Sequence, residues 1–146
     1  LAARGFPVFL PKLDVWSRRG GVRHRISMPM FPSYLFLHHV MDKTGYIDVS
    51  KTRGLVRILG ERWDRLSPVP ESEINAIQLV LKAELSVAPH PYLREGQRVR
   101  ITHGPLNGVE GILVQSKLNK GLLVLSIELL RRSVAVEVDA TAVAIA

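Results

Sequence analysis

Between Ser17 and Arg25 the chain carries four arginines, Arg18, Arg19, Arg23 and Arg25, and no acid. Guanidinium groups at that density attract phosphate through a salt-dependent, sequence-blind interaction. Gly20-Gly21 in their midst is a turn signal, so the stretch reads as a hairpin or open loop that presents the charge. A solvated basic loop without a partner accounts for the same residues equally well. Catalytic chemistry has no comparable candidate. The five histidines are His24, His38, His39, His90 and His103, and none falls in HExxH or another metal-ligand spacing. His38 and His39 are neighbours in an extended run, so they face opposite ways and cannot clamp one ion. The chain has no cysteine, which excludes a thiolate metal site, a cysteine nucleophile and a disulfide scaffold, and fits a reducing cytosol. It contains no GxGxxG, no GxxxxGK[ST] and no GxSxG. Glu71 and Glu73 stand where a helix N-terminus favours acids, not where a catalytic pair is needed. No catalytic residue, metal site or cofactor is expected, and the chain reads as a binding protein, not an enzyme.

The elements that would position the basic stretch follow from patterning. The 146 residues suit one domain or two small ones, and 47% apolar residues are enough for a packed core. The net charge of +7 and the pI near 10.2 point to a polyanionic neighbour. Residues 1–86 carry 13 basic and 8 acidic side chains and residues 87–146 carry 7 and 5, so most of the excess lies in the first part. No apolar run is long enough to span a membrane, and no signal-peptide pattern is present. Val87-Ala88-Pro89-His90-Pro91 reads as a stiff linker over 87–93, because proline removes backbone donors and biases its predecessor to extended geometry. The part before it, 1–86, reads as α+β. Ser33 to Val40 is strand-like, with Tyr34, Phe36 and His38 on one face and Leu35, Leu37 and His39 on the other. Tyr46 to Leu59 is ambiguous: it could open as a helix, and Leu55-Val56-Arg57-Ile58-Leu59 looks like a strand. Pro70-Glu71-Ser72-Glu73 starts a helix with Ile74, Ile77, Leu81 and Leu85 at helical spacing. The part after it, 94–146, reads as all β. Strands are expected around Val99 and Ile101, over 112–114, over 122–127 and over 133–138, with turns at Gly104-Pro105 and Asn107-Gly108; such spacing suggests a small barrel. Leu1-Ala2-Ala3-Arg4-Gly5 reads as the last turn of a helix begun upstream.

Two stretches carry a family resemblance. Arg94 to Gly111, with its Gly104-Pro105 and Asn107-Gly108 turns and Gly111 at the hallmark position, resembles a KOW motif. Phe31-Pro32-Ser33-Tyr34-Leu35-Phe36 resembles the FPGYVxV-type signature of the NusG N-terminal domain, and Arg53-Gly54-Leu55-Val56-Arg57 its downstream segment. In this order, across nearly the whole chain, they make the sequence similar to the NusG family of transcription elongation factors, leaning toward the RfaH- and UpxY-like antiterminators. The resemblance implies an α+β chain: a ferredoxin-like α/β sandwich over 1–86, lacking the family's opening strand and most of its first helix, a linker over 87–93, and an SH3-like KOW barrel over 94–146. The alternation in 133–139 favours that barrel over the helical hairpin that RfaH's KOW domain can form.

The resemblance also implies roles. Phe31, Tyr34 and Phe36 would dock on the clamp helices of the largest catalytic RNA polymerase subunit, with Leu35 and Leu37 facing the domain's own core. Arg18, Arg19, Arg23 and Arg25, with Lys51, Thr52 and Arg53, would contact DNA, including the non-template strand near the upstream fork. Leu106, Val109, Leu129, Leu130 and Arg132 would face a KOW partner, a ribosomal small-subunit protein or Rho. There aliphatics replace NusG's aromatics and Arg131 replaces a glycine. The implied protein is a cytoplasmic monomer, without membrane contact, that promotes processivity and antitermination. Two alternatives stay open: a general NusG coupling polymerase to Rho-dependent termination, and a KOW-type module binding RNA or the ribosome.

Overall fold

The computed structural model describes residues 5–19, 21–85, 87–117 and 120–146. It comprises β1 (Val8–Phe9), β2 (Lys12–Arg19), β3 (Val22–Pro29), β4 (Phe36–Leu37), α1 (Lys43–Ser50), α2 (Glu71–Lys82), β5 (Val87–His90), β6 (Gln97–Ile101), β7 (Glu110–Lys117), β8 (Lys120–Ile127), β9 (Arg132–Asp139) and β10 (Val143–Ile145), with short 3-10 turns at Glu128–Leu130 and Ala140–Ala142. Two compact units result: Leu1–Leu10 with Ser33–Pro68, and Pro11–Pro32 with Val69–Ala146. The segment 87–93 lies within the second of these units. The expected helix end at 1–5 falls mostly on residues outside those described.

The first unit is built on a short antiparallel pair, β1 with β4, in which Phe9 lies opposite Phe36 and Val8 opposite Leu37. The strand expected over 33–40 shrinks to these two residues. Pro7 and Pro11 stand on either side of β1 and Ser33 takes a φ of 72°, so the ladder is short; one bond continues it, the His38 N–H donating to the Pro7 carbonyl at 3.1 Å. No wider ferredoxin-like sheet forms among the described residues of this unit. α1 begins at Asp42, whose carboxylate accepts from the Gly45 N–H at 2.6 Å. The segment 55–59 is not a strand: Gly54 turns the chain with φ 87°, Val56 is 96% exposed, and Leu59 leads into the bridge of Gly60 to Leu66.

The second unit contains the long hairpin β2–β3, beside whose turn Gly21 has the left-handed φ of 79° that hairpin turns demand. Its larger part is a six-stranded antiparallel sheet in the order β10-β6-β7-β8-β9-β5. β8 is buried on both faces. Val124 packs with Ile112 and Ala135 on one face, with Leu93, Val114 and Leu122 around them. Leu123 and Leu125 stand opposite Val136 and Val134 on the other. Gly111 is required where β7 passes β8, because a Cβ there would lie 2.7 Å from the Val124 carbonyl oxygen. α2 lies against β8, with Ile77 and Val80 fully buried.

The linker expectation for 87–93 is corrected here. Val87–His90 pairs with β9 along its length, Val87 opposite Val136 and His90 opposite Ser133. Proline is tolerated because β5 is an edge strand, where a missing N–H breaks no ladder. A hydroxyl pair then secures Leu93: Ser126 Oγ donates to the Leu93 carbonyl at 2.9 Å, and Ser133 Oγ accepts from the Leu93 N–H at 3.2 Å.

Candidate functional site

The aromatic set divides. Phe31 is 1% exposed and belongs to the second unit, so its ring is core and not a docking anchor. Tyr34 and Phe36 are half-buried in the first unit, where the Phe36 ring lies 6.0 Å from that of Phe9. Leu35, expected in the core, is 44% exposed, and Val8 and Leu10 are exposed as well. The extended backbone of this segment is too briefly paired for strict alternation to decide which side chains are covered. Three exposed apolar side chains, Val8, Leu10 and Leu35, thus lie in or beside the strand pair.

The basic set also divides. In β2–β3 the register sets Arg18 opposite Arg23 and Trp16 opposite Arg25, with Arg19 beside the turn opposite Val22. The side chains of Arg18, Arg19, Arg23 and Arg25 lie outside the described residues. Lys51 and Arg53 follow α1 and are exposed. Thr52 is not available to a nucleotide: its Oγ1 is shut from solvent and has no hydrogen-bond partner. The Thr52 N–H donates to the Val49 carbonyl at 3.0 Å.

The sheet set is corrected in part. Leu106, Val109 and Leu130 are buried, so they hold the sheet and its turns together and cannot meet a partner directly. Aliphatic side chains at turn positions look like surface anchors in a sequence, but these turns fold back over the sheet: the Gly108 N–H donates to the Ile101 carbonyl at 2.8 Å and the Ile101 N–H to the Val109 carbonyl at 2.9 Å. Leu129, 40% exposed, and Arg132, exposed, remain on the surface.

Sequence reasoning missed a groove of about 500 Å³ within the second unit, between α2 and the sheet. Its polar side includes Glu73, Arg94, Arg98 and Glu128. Glu73 Oε1 accepts from the Glu128 N–H at 3.1 Å. Burial pushes the Glu73 carboxyl above its ordinary value, the Glu128 charge adds to the rise, and the backbone hydrogen bond opposes it. The acid in the first turn of α2 was legible; its reach to a turn 55 residues away was not. Among the described residues no group of three or more His, Cys, Asp or Glu side chains could hold a metal ion. No described helix is long and apolar enough to cross a membrane.

The comparisons with known proteins agree on one assignment. A family model described as transcription termination factor nusG matches residues 1–78. Proteins named transcription termination/antitermination protein NusG from Escherichia coli K12 and from Yersinia pestis are each 27% identical over 134 residues, covering 90% of this chain and 74% of theirs. The protein of that name from Buchnera aphidicola of Acyrthosiphon pisum is 24% identical over 133 residues, with the same coverage. With a matching family model across more than half of its residues, and relatives of one name along most of the rest, the chain belongs to the NusG family of transcription termination and antitermination factors.

Proposed function

We propose that this chain binds RNA polymerase at the clamp helices of the largest catalytic subunit, and that it promotes processivity and antitermination without chemistry of its own. Tyr34 and Phe36 are the anchors in this reading, with Leu35 added to them. The observation that carries it is the exposure of Val8, Leu10 and Leu35 at the β1–β4 pair, which also holds the half-buried rings of Phe9 and Phe36 6.0 Å apart. A helical tip needs such a surface, with aromatics at its centre and a polar rim. The β2–β3 hairpin then brings Arg18, Arg19, Arg23 and Arg25 to DNA phosphate, and Lys51 and Arg53 to the non-template strand. The sheet β6–β10 is read as a KOW barrel, with Leu129 and Arg132 meeting a ribosomal small-subunit protein. The cytoplasm is the compartment and the monomer the working form.

A second reading is favoured by the relatives, whose printed name covers termination as well as antitermination. In it the same sheet recruits Rho. Purified polymerase core, Rho and the ribosomal small-subunit protein, offered separately to the immobilised full chain, separate the readings. Retention of polymerase with the ribosomal protein supports the first. Retention of polymerase with Rho supports the second. Retention of neither the polymerase nor either partner contradicts both.

A further inference from the structure

In the first unit the chain leaves β4 at Leu37 and enters α1 at Lys43. The connection between them carries an imidazole at His39, a thioether at Met41 and a carboxylate at Asp42. All three reach one place, the open side of the buried Gly45. A Cβ on Gly45 would lie 3.0 Å from Asp42 Oδ1, 3.3 Å from His39 Nε2 and 3.5 Å from Met41 Sδ. Oxygen, nitrogen and sulfur thus face the same small space, which glycine leaves free by having no side chain.

His39 is oriented but unused. The Phe6 ring meets its imidazole edge to face, with centroids 5.2 Å apart and 83° between the planes. Elsewhere the imidazole nitrogens are engaged: His90 Nδ1 donates to the Pro91 carbonyl at 2.7 Å, and His103 Nδ1 shares a hydrogen bond with Thr102 Oγ1 at 2.7 Å. Among the described residues the His39 ring has no hydrogen bond and no ion pair, even with the Asp42 carboxylate across the same space. That carboxylate instead accepts from the Gly45 N–H. A fixed imidazole with a spare nitrogen beside a thioether is a donor pair for a soft metal ion. Spacings among His, Cys, Asp and Glu do not reveal it, because one of its donors is a methionine.

We propose that His39 Nε2 and Met41 Sδ bind copper(I), with the Asp42 carboxylate balancing its charge. Thioether sulfur selects soft ions, and imidazole accompanies it readily. Zinc wants four donors in a tetrahedral array, which this place does not offer, whereas a monovalent d10 ion is satisfied by two or three. Magnesium and calcium want oxygen donors. The positive end of α1 disfavours a cation, and the Asp42 charge at that end offsets it. His39 is exposed and the unbranched Met41 side chain is adaptable, so the two donors can close on an ion by side-chain rotation. The chain has no cysteine, so no thiolate of its own competes for the ion. The ion would tie the exit of β4 to the first turn of α1 and so stabilise this segment by mass action. The site uses none of the polymerase anchors, so its failure would leave the polymerase reading standing.

The test uses silver(I), a redox-inert probe for copper(I), titrated in chloride-free buffer into the full chain labelled with ¹³C at its methionine methyls. The three methionines are Met28, Met30 and Met41, so the site has its own signal and two internal controls. A saturable one-to-one shift of the Met41 methyl is expected, with the other two methyls unmoved. Met41→Leu keeps the volume of the side chain and removes the sulfur. It and His39→Ala should each weaken silver at least about tenfold, since even the outer partners of a metal ligand are worth that much. Circular dichroism checks that both variants fold. His38→Ala should leave the affinity unchanged, because no atom of His38 is among those nearest the space at Gly45. A Met41 methyl that does not move in the wild type would overturn the proposal. So would equal shifts at all three methionines, or unchanged affinity in folded Met41→Leu and His39→Ala. Zinc binding more tightly than silver at the same residues would overturn it in favour of an imidazole–carboxylate site.

Discussion

Phe31 and Phe36 stand five positions apart in one aromatic segment and do different things. Phe31 is fully buried, so Phe31→Ala should cost about 3–5 kcal/mol of stability in denaturant unfolding, whereas Phe36→Ala, at a half-exposed ring, should cost less than half of that. Equal losses would contradict the assignment of one ring to the core and the other to the surface. Thr52 offers a converse case. Its hydroxyl is shut from water and unpaired, so Thr52→Val should leave stability unchanged or raise it by about 1 kcal/mol. A clear loss in thermal melting would show that the hydroxyl has a partner. Glu73 gives a pH dependence. Its carboxyl is pushed up by burial, so the folded state holds the proton more tightly than the unfolded chain, and stability falls as pH rises from 4.5 through the raised value. Glu73→Gln keeps an oxygen for the Glu128 N–H and removes the charge. It should be more stable than the wild type at neutral pH, and the advantage should vanish below pH 4.5, as melting across that range would show. An advantage that persists unchanged in acid would contradict this origin.

Among elements, those with strong local signals were legible and those decided by distant partners were not. The arginine hairpin was marked by its glycine pair, and α2 by its acidic first turn and helical spacing. The strands around Val99, Leu123 and Val134 were marked by apolar runs between turns. β5 was misread, because two close prolines look like a linker, yet Pro89 sits in an edge strand where its missing donor is harmless and Pro91 lies just beyond it. The 55–59 run was misread in the other direction: β-branched and aliphatic residues suggest a strand, but among the described residues no strand forms a ladder with it. Tyr34, Phe36, Leu129 and Arg132 were candidates only through the family resemblance, and they are not buried. The burial of Phe31, Leu106, Val109 and Leu130 was not legible, since a sequence shows that a residue is apolar but not which neighbour covers it. The β5 assignment has a direct check. Amide hydrogen exchange at Ala88 and His90 should be slowed relative to a free peptide, as expected of a strand paired to β9. Exchange at the free-peptide rate at both would restore the linker.

At the scale of the whole molecule, the chain joins a basic hairpin, a patch of exposed apolar side chains and a buried antiparallel sheet, under a net charge of +7. Membership of the NusG family gives them a common setting in transcription, and the aromatic surface of the first unit is the part that would place the chain on the polymerase. The most direct measurement is therefore the affinity of the full chain for purified RNA polymerase core, with Tyr34→Ala/Phe36→Ala beside the wild type and the folding of both checked by circular dichroism. Saturable binding by the wild type, weakened at least about a hundredfold in the folded double variant, is the predicted result for the loss of two anchors at the centre of an interface. Equal binding by the two folded proteins, or no binding by a folded wild type, would contradict it.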